Sequence, residues 1–289
     1  MISLLRRLTL AAAFHISVSS TASASSDGTK YMVVFGDSYS STGFWITSGY
    51  PSASNPMGNG GYTTSGGLNW AGVVTEQLNT SLLLTYDFAV YGATVDTSLV
   101  RGNTPDVKQQ VGYFNQYLAG KPNYAPWTSD NLLVAIWIGI NDLGNPFWDG
   151  ITPPIDKVLD KYFELVQNLT DSGVRQFAFL TVPPFQNAPS FLQSDTTKLV
   201  NSISSWNSAL KTRTTTFTSA NTGVTAQVVE TEKSFITALE SPSKYGAKDA
   251  KCSNADGTTC LWYDGYHAGK AIHKLAAQAF VNALKGSFF

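Results

Sequence analysis

Four short segments carry residue types that together suffice for acyl transfer: Phe35-Gly36-Asp37-Ser38-Tyr39-Ser40, Ala89-Val90-Tyr91-Gly92-Ala93, Gly139-Ile140-Asn141-Asp142 and Asp264-Gly265-Tyr266-His267. Such chemistry needs a hydroxyl nucleophile, a base, a carboxylate that orients the base, and donors for an oxyanion. A serine hydroxyl is a poor nucleophile at neutral pH and attacks an ester carbonyl only when an adjacent base takes its proton. Ser38 is the candidate nucleophile. The chain has only three histidines, His15, His267 and His273. His267 follows Asp264 by three residues, and that spacing lets a carboxylate on the same turn hold the imidazole in the useful tautomer. His273 falls on an amphipathic helical pattern with no such partner and reads as structural. Asp37 and Asp142 are expected to brace their loops through hydrogen bonds.

Other chemistries fail on spacing. Gly265 to Lys270 has three residues between its glycines and Ala271 after the lysine, so it is no phosphate loop. The Gly-rich stretch Met57 to Gly61 follows no strand, which removes a dinucleotide reading. The pentapeptide G-x-S-x-G is absent. No metal triad can be built from His267 and His273 at metalloprotease spacing, and no cofactor or metal is expected.

Five apolar runs rich in β-formers, 31–35, 82–89, 132–138, 177–182 and 224–229, must position these segments. Between them run helical stripes. The clearest spans 153–170, where Ile155, Val158, Leu159, Tyr162, Phe163, Val166 and Leu169 recur at three- and four-residue steps, with Gly173 beyond its end. Leu199, Ile203, Trp206 and Leu210 form a second stripe; Ile272, Leu275, Ala276, Ala279 and Phe280 form a third. Alternation of this kind predicts one α/β domain with a five-stranded parallel sheet covered on both faces, because crossovers are right-handed. Ligands in such sheets bind beyond the carboxyl ends of the strands, and the first three catalytic segments follow strands one to three. The Gly-, Ser- and Asn-rich stretch 44–67 is the largest loop and is expected to wall the site.

The N-terminus reads as a leader. Met1 to Arg7 is short and basic, 8–18 is mostly apolar, and Ala22-Ser23-Ala24 offers the small-residue pattern that signal peptidase cleaves. An apolar stretch of this length falls short of the roughly 20 residues that span a bilayer. Residues 1–24 are therefore expected to be a signal peptide, with a secreted, extracellular product from residue 25. Charged residues are only 13% of the chain and the net charge is −1, which offers nothing to nucleic acid. Cys252 and Cys260 are the only cysteines, and an oxidising compartment would join them. Two free thiols or half of a metal site are the alternatives, and the want of further Cys or nearby His weakens the metal. Asn79-Thr80-Ser81 and Asn168-Leu169-Thr170 are glycosylation sequons at Asn79 and Asn168.

In order and content, the four blocks resemble the SGNH, or GDSL, hydrolase superfamily, named for a Ser, a Gly, an Asn and a His on separate segments. Here they are Ser38, Gly92, Asn141 and His267. The likeness spans essentially the whole chain after the leader. It implies a flavodoxin-like, three-layer α/β/α catalytic domain over 25–289. The implied triad is Ser38, His267 and Asp264, and the implied oxyanion hole is the backbone N–H of Ser38, the backbone N–H of Gly92 and the side-chain amide of Asn141. Glycine suits position 92 because a side chain there could obstruct the approach of substrate to backbone. Three departures are Tyr39 after Gly-Asp-Ser, Asp87 where many members have Asn, and Thr42 where Asp is common. None touches a catalytic role. The pattern looks most like the fungal secreted acetyl esterases of carbohydrate esterase family sixteen, which implies hydrolysis of acetyl esters on plant cell-wall carbohydrates such as acetylated xylo-oligosaccharides through an acyl-enzyme.

The same chemistry on longer acyl or lipid esters is the nearest alternative. A non-catalytic carbohydrate-binding protein on this fold is the remote one; it predicts a missing catalytic group, whereas all four block residues are present. Trp45, Tyr62, Phe147, Trp148, Trp262 and Tyr263 stand near the blocks and are the candidates for stacking on sugar rings or lining an acyl pocket. Trp70 sits within a helical pattern and reads as core. A monomer without a membrane span is expected.

Overall fold

The computed structural model describes residues 28–289, so the expected leader, 1–24, lies outside the described residues. Five parallel strands form the sheet: β1 (Lys30–Gly36), β2 (Leu83–Asp87), β3 (Leu132–Trp137), β4 (Gln176–Leu180) and β5 (Thr225–Val229). Their order is β2-β1-β3-β4-β5. β3 is buried at every residue and β1 at all but its first, which is why both read as unbroken apolar runs. β5, at the edge, alternates exposed and partly buried positions before Val229. Register places Val34 beside Asp87 on one flank and beside Ala135 on the other.

Helices cover both faces. α1 (Trp70–Val73), α6 (Glu232–Glu240) and α7 (Lys270–Ala283) pack together on one, while α2 (Val107–Tyr117), α3 (Ile140–Trp148), α4 (Ile155–Asp171) and α5 (Thr197–Ala220) form the other layer. Val158, Leu159, Tyr162, Val166 and Leu169 of α4 are buried, as the helical stripe predicts. α4 starts two residues later than its pattern because Pro153 and Pro154 stand before the first turn. α2 opens on a capping box in which the Asp106 carboxylate accepts the Gln109 N–H at 3.0 Å and the Gln109 side chain accepts the Asp106 N–H.

Chain order and strand order together fix where the site must lie. β1 sends its successor β2 to one side and has β3 on the other, so the end of β1 is the switch point of the sheet. The segments after β1, β2 and β3 therefore emerge side by side, adjacent strands being about 4.8 Å apart. The segment that precedes α7 closes the group. Cys252 and Cys260 are joined in a disulfide within the loop leading to it. That loop is seated on the 44–67 stretch at Gly257, whose φ is +61° and where a Cβ would come within 1.9 Å of the Ser65 carbonyl oxygen. Asn168 is exposed on α4; Asn79 is half-buried, and its amide donates to the Thr75 carbonyl.

Candidate active site

Ser38 sits in the turn after β1. Asp37 shapes that turn: its carboxylate accepts the Tyr39 N–H at 2.9 Å, and its carbonyl accepts the N–H groups of Ser40 and Ser41 at 3.0 and 2.9 Å. From behind, the Thr64 hydroxyl donates to the Ser38 carbonyl at 2.7 Å. The 44–67 stretch thus backs the nucleophile, and none of its residues lines the cavity that Ser38 faces. The expected wall comes instead from the loop after β2 and from α3.

The Ser38 hydroxyl lies 2.9 Å from Nε2 of His267, whose Nδ1 lies 2.8 Å from one Asp264 carboxylate oxygen and 2.9 Å from the other. Burial works to raise the Asp264 pKa, but the His267 hydrogen bond and charge and the backbone N–H groups of Tyr266 and His267 hold it below the usual carboxylate range. An ionised carboxylate only accepts, so the imidazole proton is on Nδ1 and the Nε2 lone pair faces Ser38. Tyr39 ties the two segments together by donating its hydroxyl to the Tyr266 carbonyl at 2.7 Å. His273 is placed behind the triad, where its Nδ1 accepts the Trp70 N–H at 3.2 Å. Burial, and then the charge of His267, push its pKa down to about 3, so it stays neutral and links α7 to α1.

Gly92 follows β2 with φ +74°, and Asn141 lies in the first turn of α3. The Asn141 amide donates to the Ala93 carbonyl at 2.9 Å, which leaves its second N–H for a ligand. Beside it the Asp142 carboxylate accepts the Val95 N–H at 3.1 Å. Among the described residues, neither the Ser38 nor the Gly92 backbone N–H has a protein hydrogen-bond partner. Three donors and the nucleophile thus border one cavity of about 450 Å³. Asp37 and Asp142 are fully buried braces whose pKa values burial lifts to about 8 and about 7.

Of the six candidate aromatics, only Trp148 lines this cavity. Phe147, its neighbour on α3, lines a different cavity of about 600 Å³ together with Leu143, Ile151 and Leu199. That space is larger and includes Thr152, Ser202, Asp195 and Lys198, but no histidine lines it and the Ser202 hydroxyl donates to the Lys198 backbone carbonyl, so the candidate site is the cavity that Ser38 and His267 share. Trp45 packs edge-on against Tyr113, Tyr62 is 77% exposed, and neither they nor Tyr263 line the catalytic cavity. Trp262 corrects the sequence reading: it is fully buried, its indole N–H donates to the Ala250 carbonyl at 3.0 Å, and it packs near Phe235, out of reach of any substrate.

The remaining lining comes from Tyr91, Arg101, Gly102, Asn103, Asn145 and Tyr266, which the sequence did not single out as substrate contacts. Asn145 and Trp148 stand four and seven residues after Asn141, a spacing that puts all three on one helix face and could have found them. Arg101 and Asn103 carry no such signal. Among the described residues, no group of three or more His, Cys, Asp or Glu side chains is arranged to hold a metal, and no helix is long and apolar enough to cross a membrane.

Residues 32–280 match the family of GDSL-like lipases and acylhydrolases. An acetylesterase of Thermothelomyces thermophilus is 45% identical over 272 residues, covering 90% of each chain. An acetylesterase of Hypocrea jecorina is 33% identical over 130 residues, 40% of this chain and 36% of that one. Among solved structures, an acetylxylan esterase from Geobacillus stearothermophilus superposes with a TM-score of 0.54 at 15% identity, over 90% of this chain and 95% of that one. That last likeness is one of fold.

Proposed function

Because the chain belongs to the GDSL-like lipase/acylhydrolase family, and is therefore a carboxylic ester hydrolase, we propose that it is an acetyl esterase acting on acetylated plant cell-wall oligosaccharides through an acyl-enzyme at Ser38. As Ser38 Oγ attacks the ester carbonyl, His267 Nε2 takes its proton and Asp264 stabilises the imidazolium. The carbonyl oxygen becomes an anion between the Ser38 N–H, the Gly92 N–H and the Asn141 amide. His267 then gives its proton to the sugar oxygen as the bond from that oxygen to the acyl carbon breaks, which leaves the acyl-enzyme. Water attacks the acyl carbon while His267 takes a proton from it, and the second tetrahedral intermediate breaks its bond to Ser38 Oγ, which takes the proton back from His267 as acetic acid leaves.

The observation that carries the acyl preference is the cavity lining, which includes no aliphatic side chain. A longer acyl chain gains about 0.8 kcal/mol for each methylene it buries against apolar surface, and here the rings of Tyr91, Trp148 and Tyr266 are the side chains that offer it. A sugar, by contrast, meets the Asn145 amide, the Arg101 guanidinium and the half-exposed Trp148 ring. The acetylesterase relatives point the same way. Every group of the site comes from one chain, so a monomer suffices. The basic and apolar leader pattern of 1–24 and the Cys252–Cys260 disulfide favour a secreted product, with exposed Asn168 the better glycan acceptor.

The test is incubation of the protein from residue 25 onward, beside Ser38→Ala, with acetylated xylo-oligosaccharides, products being identified by mass. Acetate release by the wild type alone is expected. A folded protein that released none, yet cleaved long-chain esters, would overturn the carbohydrate substrate while leaving the family intact.

A further inference from the structure

We propose that Asn103 is a positioning residue for the oxyanion donor at Gly92: its side chain fixes the Tyr91-Gly92 peptide in the orientation that turns the Gly92 N–H toward the catalytic cavity. The inference rests on the reading of Gly92 as an oxyanion donor.

The Tyr91 carbonyl and the Gly92 N–H are two ends of one planar trans peptide and point in opposite directions. Whatever fixes the carbonyl fixes the donor. The Asn103 side chain donates to the Tyr91 carbonyl at 3.0 Å, and the Asn103 backbone N–H donates to the Gly92 carbonyl at 2.8 Å. One residue therefore holds the carbonyls on both sides of the Gly92 Cα, and a parallel bridge between Ala93 and Asn103 extends the pairing. The N–H between them takes no protein partner among the described residues.

Such a restraint is needed here. Glycine occupies positive and negative φ with similar ease, so the chain at Gly92, with φ +74°, has little resistance of its own to rotation of the preceding peptide. The Asn103 amide also lies directly over the glycine: a Cβ at position 92 would fall 2.5 Å from Asn103 Nδ2 and 2.9 Å from Cγ. The segment that carries Asn103 is in turn held, at Arg101, to the helix that carries Asn141. Asn145 donates to the Arg101 carbonyl at 2.8 Å, and Arg101 makes a two-point ion pair with Asp149 at 2.7 and 2.8 Å.

The role predicts a loss in kcat that does not depend on the alcohol. Removing one oxyanion donor outright costs about 10² to 10³ in rate, and a donor that is only part of the time in place costs less. Asn103→Ala is expected to lower kcat about 10-fold or more, bounded by that range. Asn103→Asp keeps the shape but sets a carboxylate against the Tyr91 carbonyl, which favours the flipped peptide, so its loss should be larger. Both are measured on p-nitrophenyl acetate and on acetylated xylo-oligosaccharide, with thermal unfolding as the control for folding.

An equal fall in kcat on both substrates, with KM within about threefold and the larger loss in Asn103→Asp, is the expected result. A rise in KM confined to the oligosaccharide would make Asn103 a sugar contact and overturn the positioning role. Wild-type kcat in the isosteric Asn103→Asp would overturn it as well, even if the alanine variant failed to fold. Ser38→Ala, run alongside, separates the two levels of the argument. If it keeps wild-type activity, the reading of the whole site falls and this inference with it; if it is inactive, the Asn103 results judge the positioning role alone.

Discussion

The Asp264 carboxylate accepts the backbone N–H of His267 at 2.8 Å while it accepts the ring Nδ1–H of the same residue, also at 2.8 Å. One side chain thus fixes both the turn that carries the base and the direction of its ring. A third bond, from the Tyr266 N–H at 2.7 Å, completes the acceptor set. The three-residue spacing is therefore a geometric requirement of the turn as well as a chemical one.

Asp264→Asn should keep most of the turn, because an amide oxygen still accepts backbone N–H groups. It no longer holds the imidazole with its proton on Nδ1, however, and the Nε2 lone pair is no longer committed to Ser38. A fall in kcat of about 10⁴ with a folded protein is expected, by analogy with the same change in serine proteases. Steady-state kinetics on p-nitrophenyl acetate check this; a loss under tenfold would remove Asp264 from the orienting role.

Asn141→Ala removes the proposed oxyanion donor and also the bond to the Ala93 carbonyl at 2.9 Å. kcat should fall about 10² to 10³ with KM little changed. The lost hydrogen bond adds about 1 kcal/mol of destabilisation, readable as a lower urea midpoint. The two readouts separate the roles, since a purely structural asparagine would show the second without the first.

That the candidate groups would come together was legible because the sheet dictates where they stand. The apolar runs 31–35, 82–89 and 132–138 become strands that end at Gly36, Asp87 and Trp137, and a parallel sheet puts whatever follows such ends on one edge. Local spacing was enough to pair Asp264 with His267. Trp262 was not legible, since the direction of an aromatic side chain in an irregular loop is set by the partners it packs against, here the 250–262 loop and Phe235. Asn103 was hidden for a related reason: its partners Tyr91 and Gly92 are more than ten residues away, in a stretch without periodicity.

Trp148 stacks against Phe191 at 4.9 Å between ring centroids and remains 48% exposed at the cavity. An exposed ring that shares the cavity with Ser38 can meet the proposed sugar but is not needed by the acetyl group. Stacking contributes about 0.5–1.5 kcal/mol, so Trp148→Ala should raise KM for acetylated xylo-oligosaccharide roughly two- to tenfold and leave p-nitrophenyl acetate kinetics unchanged. Equal effects on the two substrates would argue that Trp148 supports the fold of α3 instead.

Stability should fall as pH rises from about 6.5 to 8. Burial lifts the pKa values of Asp37, Asp87 and Asp142 to about 8, about 7 and about 7. Between the ordinary carboxylate value near 4 and these raised values, the folded chain keeps protons that the unfolded chain has released. Unfolding then releases protons, and stability declines with pH across that window. His273 acts in the opposite sense but at lower pH: with its pKa pushed down to about 3, it costs stability as pH drops from about 6.5 toward 3, where only the unfolded chain protonates it. Above about 6.5 the carboxyls act unopposed by it. Asp87 is the cleanest probe, because Asp142 adds to the shift of Asp37 and Asp106 to that of Asp142, whereas Asp87 is raised by burial alone. Its carboxyl accepts the Ala89 N–H at 3.0 Å, a bond that an asparagine oxygen can also make. Asp87→Asn should therefore fold, and between pH 5 and 7 its unfolding free energy should change by up to about 1.4 kcal/mol per pH unit less steeply than that of the wild type. Denaturant titrations at several pH values decide it: parallel pH profiles for the two proteins would mean that Asp87 is already ionised in the native fold.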